Sequence, residues 1–151
     1  MKILVDADSC PVKDILFQVA KEYSVELVVV KNLSHDINSD YAEIITVDKG
    51  RDSVDFVIVN KTKKGDIVVT GDYGLASLAL SKDAIVIHPN GWKYTNENIE
   101  SLLMNRYINQ QVRRKNGRHT KTPKRKKEDT IKFEKLLREI ISKLQSQGNQ
   151  E

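Results

Sequence analysis

The sequence predicts an α/β fold, a three-layer α/β/α domain around a mainly parallel central sheet, and three observations predict it. Short runs rich in Val and Ile recur along the chain as KILV, VELVVV, EIITV, DIVV and AIVI. Stretches with helical spacing of apolar residues separate most of them, the order that crossover helices over a parallel sheet require. Several runs end in polar residues, so the loops that follow would share the C-terminal edge of the sheet.

The elements follow in order. Lys2–Val5 fits the end of a central strand passing into Asp6 and Asp8. Pro11 suits an early helical position, and Ile15, Leu16, Val19 and Ala20 give a helix over Val12–Tyr23 one apolar face. The β-branched run Val25–Val30 fits a strand buried on both faces. A weaker third strand ends at Val47, before the charged turn DKGRD. Asp52–Asn60 is compatible with strand or helix; helix is preferred because Val54, Val57 and Ile58 share a helical stripe. Gly65 opens the next strand, which Thr70, Gly71 and Asp72 close. A short helix over Leu75–Ser81 and a strand over Ala84–Ile87 follow, with His88 and Pro89 supporting a turn. A helix starting after Thr95 or Asn96 carries Ile99, Leu102, Leu103, Tyr107 and Ile108 on an apolar face. Trp92 and Tyr94 are read as packing residues near its entrance, with base stacking as the alternative. Beyond a basic segment, Ile131, Phe133, Leu136, Leu137, Ile140, Ile141 and Leu144 mark a second amphipathic helix that either folds back on the core or meets another copy. The chain thus divides into a core over residues 1–112, a basic linker or contact arm over 113–127, a helix over 128–145 and a flexible tail over 146–151.

At 151 residues the chain supports one ordinary core. It shows neither a signal-peptide start nor an apolar span near 20 residues, so a soluble, cytoplasmic protein without membrane association is expected. Cys10 is the single cysteine, which excludes an intrachain disulfide and a cysteine-based zinc cluster. His35, His88 and His119 are too scattered for a zinc motif, and the glycines match no phosphate-loop or dinucleotide fingerprint. The net charge of +4 is unevenly spread. Residues 113–127, RRKNGRHTKTPKRKK, hold nine basic residues and no acidic one; taking these nine from the 25 leaves 16 against 21 acidic residues, net −5 elsewhere. Arg113, Arg114, Lys115, Arg118, Lys121, Lys124, Arg125, Lys126 and Lys127 are accordingly the candidate contacts to nucleic-acid phosphates, with a solvated linker as the alternative. Such contacts position a polyanion without reading its sequence.

The acids of the core carry the chemistry. Asp6 and Asp8 follow the first strand, Asp72 follows a later one, and Asp52 and Asp55 lie three apart on one helical turn. Carboxylates gathered in a cleft repel one another unless a cation relieves them, and magnesium or manganese suits an all-oxygen donor set. Asp6 and Asp72 are the leading metal ligands. Asp55 is a ligand or a water-orienting base, and Asp8 and Asp52 are outer or second-cation candidates. Thr70 either donates to a phosphate oxygen or caps the strand turn. Ordinary turns and helix caps remain the alternative for every acid taken singly.

The ordered segments DADSCPVKD, DKGRDSVDFVIVN, GDIVVTGDYGLA and the late ED...FEKLL resemble the bacterial YaiI/YqxD family over nearly the whole chain. That family looks like a divergent relative of the PIN-like nucleases. The resemblance implies a PIN-like α/β/α core, a divalent-metal site with Asp6, Asp55 and Asp72 as its acidic centre, Asp55 and Asp72 as catalytic residues, and RNA as the partner. The region after Gly117 is richer in positive charge and poorer in glycine than the family pattern. The expected activity is a metal-dependent endoribonuclease on single-stranded or loosely structured RNA. The alternatives are an inactive RNA-binding or regulatory protein and a structural protein that assembles as a homo-oligomer.

Overall fold

The computed structural model describes residues 1–34, 36–48, 53–116 and 124–148. Its elements run β1 (Lys2–Asp6), a 3-10 turn (Ala7–Ser9), α1 (Lys13–Glu22), β2 (Glu26–Asn32), β3 (Glu43–Val47), α2 (Ser53–Lys61), β4 (Ile67–Val69), α3 (Tyr73–Ser81), β5 (Ile85–His88), β6 (Trp92–Tyr94), α4 (Asn96–Asn116) and α5 (Lys127–Gly148). The six strands form one sheet in the order β3-β2-β1-β4-β5-β6. Every neighbouring pair is parallel except β5 and β6, which form an antiparallel hairpin.

Alternation along each strand builds the layers. Ile3 and Val5 of β1, Leu27 and Val29 of β2, and Ile67 and Val69 of β4 face the core shared with α1 and α5. Leu4, Val28, Val30 and Val68 face the opposite core under α2, α3 and α4. A strand apolar on both faces has to be covered twice, which is why the β-branched runs lie inside a sandwich of helices. The preference for helix at Asp52–Asn60 matches α2, which buries Val54 and Ile58; Asp52 itself lies outside the described residues.

Several boundaries differ from the sequence expectation. Trp92–Tyr94 is a strand rather than a helix entrance, joined to β5 by a tight turn at Gly91. There φ is +91°, and a Cβ would stand 2.5 Å from Lys132 Cβ and 2.6 Å from the Phe133 backbone nitrogen. Only glycine meets both demands. α4 runs past the expected core limit at residue 112 to Asn116, so Arg113, Arg114 and Lys115 belong to its last turn, where cations suit the helix dipole. The far half of its expected apolar face is uncovered: Tyr107 is 58% exposed and Ile108 49%. α5 folds back on the core, burying Phe133, Leu137 and Ile141, and extends to Gly148, into the stretch expected as tail.

Within the basic run, Arg125 is tied into the fold. Its guanidinium donates to the Pro89 carbonyl (2.7 Å), to Asn90 Oδ1 (2.6 Å) and to Thr130 Oγ1 (2.9 Å), fastening the start of α5 to the β5–β6 turn. It is a clamp within the fold. The Lys126 N–H is taken by Asp129 Oδ2 (2.9 Å), which caps α5, while the Lys124 and Lys127 side chains are exposed. Arg118 and Lys121 lie outside the described residues. His88 accepts the Asn90 N–H on Nδ1 (2.9 Å) and stacks on Trp92, in keeping with the turn role expected of it.

Candidate functional site

The order of the sheet fixes the place of the site. Connections leave β1 toward β2 on one side and reach β4 on the other, and a crevice opens at the strand C-terminal ends where the winding reverses. Asp6 ends β1 and Asp72 follows β4, so both stand at that crevice. Together with Asp8, Ser9, Val54, Asp55 and Gly71 they line a cavity of about 220 Å3. The structure therefore brings four of the five predicted acids to one cleft; the fifth, Asp52, is not among the described residues.

Asp6 is the buried member, with 5% of its surface exposed. Its Oδ2 accepts from Ser9 Oγ (2.9 Å) and Thr70 Oγ1 (3.0 Å). Each hydroxyl has one proton, and with both protons given to Asp6 the oxygens remain as acceptors: Ser9 Oγ receives the Gly71 N–H (2.9 Å) and Thr70 Oγ1 the Asp72 N–H (2.9 Å). Burial pushes the Asp6 carboxyl above the usual carboxylate range; the two hydroxyls oppose this, and the charges of Asp8 and Asp72 add to it. Thr70 is fully buried, so of its two expected roles the contacts match the structural one: it supports Asp6 and the turn into Asp72.

Asp72 has two attachments. Its Oδ1 accepts the N–H groups of Gly74 (2.8 Å) and Leu75 (3.2 Å), capping α3, and Arg106 Nη1 of α4 stands 3.8 Å away. Asp8 Oδ2 accepts from Asn32 Nδ2 (3.0 Å) at the end of β2. Asp55 enters from the first turn of α2. Gly71 lets the two loops close up, since a Cβ there would meet the Ser9 carbonyl at 3.3 Å.

The donor chemistry fits a divalent cation: oxygens only, from separate segments, with the charges of Asp8 and Asp72 adding to the burial that raises Asp6. The convergence is looser. Asp6, Asp8 and Asp72 each commit at least one oxygen to the fold, and among the described residues no three His, Cys, Asp or Glu side chains are drawn together as a metal-holding group. Ser9 and Arg106 were not anticipated. Ser9 lies within the DADSCP segment, and a small hydroxyl residue beside two acids was a usable signal; Arg106 reaches the site only through the packing of α4 on α3. Cys10 is buried, and burial pushes its thiol up to about 11, away from nucleophilic use.

Residues 4–143 match the family described as "Uncharacterized BCR, YaiI/YqxD family". The UPF0178 protein of Natranaerobius thermophilus is 72% identical over 146 residues, covering 97% of this chain and 99% of that relative. The UPF0178 protein of Alkaliphilus oremlandii is 58% identical over 137 residues, with 91% and 88% covered. Among solved structures, a crystal structure of Rae1 (YacP) from Bacillus subtilis aligns over 95% of this chain and 99% of that one, at 20% identity and a TM-score of 0.41, too loose a likeness to carry an argument about the site.

Proposed function

The chain belongs to the YaiI/YqxD family, and on that premise we propose that its carboxylate cleft is the active site of a divalent-metal-dependent endoribonuclease acting on single-stranded or loosely structured RNA. The observation that carries the reading is the gathering of Asp6, Asp8, Asp55 and Asp72, from three segments, around one small cavity at the point where the sheet reverses its winding. The resemblance of the family to PIN-like nucleases supports it further.

In this reading Asp6 and Asp72 hold magnesium or manganese, with Asp8 and Asp52 at its periphery. Such a cation, when bound, supplies charge neutralisation for the scissile phosphate and acidifies water. The chain does the rest. Ser9 and Thr70 fix the Asp6 carboxylate through its Oδ2, the cap on α3 fixes Asp72, and Asp55 orients the attacking water and accepts its proton. Arg106, 3.8 Å from Asp72, is positioned to offset negative charge on the phosphate.

Manganese titration combined with a cleavage screen over diverse RNAs tests this. Saturable binding lost in the Asp6→Asn, Asp55→Asn and Asp72→Asn variants is expected, with metal-dependent cleavage abolished by Asp55→Asn while RNA binding persists. Equal cleavage by wild type and Asp55→Asn would refute the assignment. One observation favours a second reading, an inactive RNA-binding protein: no three acids among the described residues are drawn together as a metal-holding group. RNA binding without manganese binding would select it.

A further inference from the structure

Beside the acidic cleft, α4 and the start of α3 enclose a second cavity of about 500 Å3, lined by Tyr73, Leu102, Asn105, Arg106, Asn109, Gln110 and Arg113. The α4 residues recur three and four apart, so they share one face of that helix. Apart from Leu102 they are exposed polar side chains, two of them arginines: Arg113 opens the basic run, and Arg106 stands in the part of the chain whose net charge is negative. Two links join this groove to the cleft. Tyr73 lines the groove and follows Asp72 directly in sequence, and Arg106 lines the groove while standing 3.8 Å from Asp72.

We propose that this groove is the track that seats a single-stranded nucleic acid and delivers it to the carboxylates, an inference that rests on the nuclease reading for its direction but not for its binding. Arg106 and Arg113 lie seven residues apart on one helix, about 10.5 Å along its axis, and contact the backbone phosphates as planar, fixed charges. The amides of Asn105, Asn109 and Gln110 offer donors and acceptors to the Watson–Crick edges of bases, which are open to them only in an unpaired strand. Tyr73, partly buried and edge-on to Tyr94 at 6.0 Å, supplies an aromatic surface for a base at the mouth of the cleft. The principal contacts thus move from the run at 113–127 to the flank of α4, with Arg113 common to both.

The test uses the intact chain, a fluorescein-labelled 12-nucleotide oligouridylate, and EDTA to keep cleavage out of the measurement. Affinity is measured at several salt concentrations for wild type, for the doubly substituted Arg106→Gln, Arg113→Gln protein and for the doubly substituted Lys124→Ser, Lys127→Ser protein. The arginine pair should weaken binding at least tenfold and flatten the dependence of log K on log salt by about 0.7 for each phosphate left without its arginine, with melting unchanged because both side chains are exposed. Unchanged affinity and slope would overturn the proposal, as would absence of wild-type binding, a larger loss from the lysine pair, or equal binding of a duplex of the same length. A protein that binds the strand through these arginines yet never cleaves RNA with manganese would refute the nuclease reading while supporting the groove.

Discussion

Replacing Arg125 by Ser should unfold the protein more easily, although the residue sits in a run that reads as a nucleic-acid arm. Three hydrogen bonds of 2.6–2.9 Å disappear at once, to Pro89, Asn90 and Thr130. A hydrogen bond from a charged donor contributes about 1.5–3 kcal/mol. The three are not additive, because they share one guanidinium and water reaches the half-buried Asn90 and Thr130 acceptors once it is gone. A net loss of about 2–3 kcal/mol follows, which for a chain of this length lowers the melting temperature by about 4–12 °C. Arg125→Lys should recover little, since one ammonium cannot reproduce a planar fork bridging three acceptors. Lys124→Ser and Lys127→Ser, both on exposed side chains, should stay within about 0.5 kcal/mol of wild type. Thermal and urea unfolding of the four variants decide it. If Arg125→Ser melts with the two lysine variants, the clamp contributes nothing and Arg125 returns to the pool of free cations.

Gly91→Ala should cost about 2–5 kcal/mol, combining a positive φ with a clash against the α5 backbone; a loss under 1 kcal/mol in urea unfolding would mean that the hairpin turn yields freely. Asp72→Asn keeps an oxygen to cap α3 and should melt near wild type while losing manganese binding, whereas Asp72→Ala should also lose about 1 kcal/mol of stability; equal melting of the two variants would contradict the cap. His88 titrates at about 4, lowered first by burial and then by Arg125, against about 6.5 in an unfolded chain. The unfolded state binds more protons between these values, so this contribution to stability is complete above pH 6.5 and is lost as pH falls toward 4. Trp92, the single tryptophan, stacks on that imidazole at 4.5 Å and reports its protonation by fluorescence; a midpoint near 6.5 in the folded protein would refute the assignment.

Parts of the fold that depend on local pattern were legible in the sequence. The β-branched runs gave β1, β2, β4 and β5, and the i, i+4, i+8 spacing of Phe133, Leu137 and Ile141 gave α5 and its buried face. Polar residues at strand ends gave Asp6 and Asp72, because that position follows from parallel topology alone. β6 was missed because its three residues are too few for a periodicity, although Asn90-Gly91 is itself a hairpin signal. The α4 stripe misled because Tyr107 and Ile108 obey the right spacing on a helix whose far half no neighbour covers. Charge counting treated the nine cations of 113–127 alike, and only tertiary contacts distinguish Arg125 from Lys124. The hydroxyls beneath Asp6 and the approach of Arg106 to Asp72 arise from packing between distant segments, which no local window contains.

The return of α5 onto the sheet sets an order of events during synthesis. A nascent chain emerges from its N-terminus, and the strand ends bearing Asp6 and Asp72 exist early. The apolar face formed by Ile3, Val5, Leu27, Val29, Ile67 and Val69 is not closed until Phe133, Leu137 and Ile141 arrive. That is roughly 70 residues later, or about 3.5–14 s at 5–20 residues per second. For that interval a half-covered parallel sheet is open to wrong partners, and a chain cut short before Phe133 keeps the carboxylates of its cleft but has only α1 over the core beneath them.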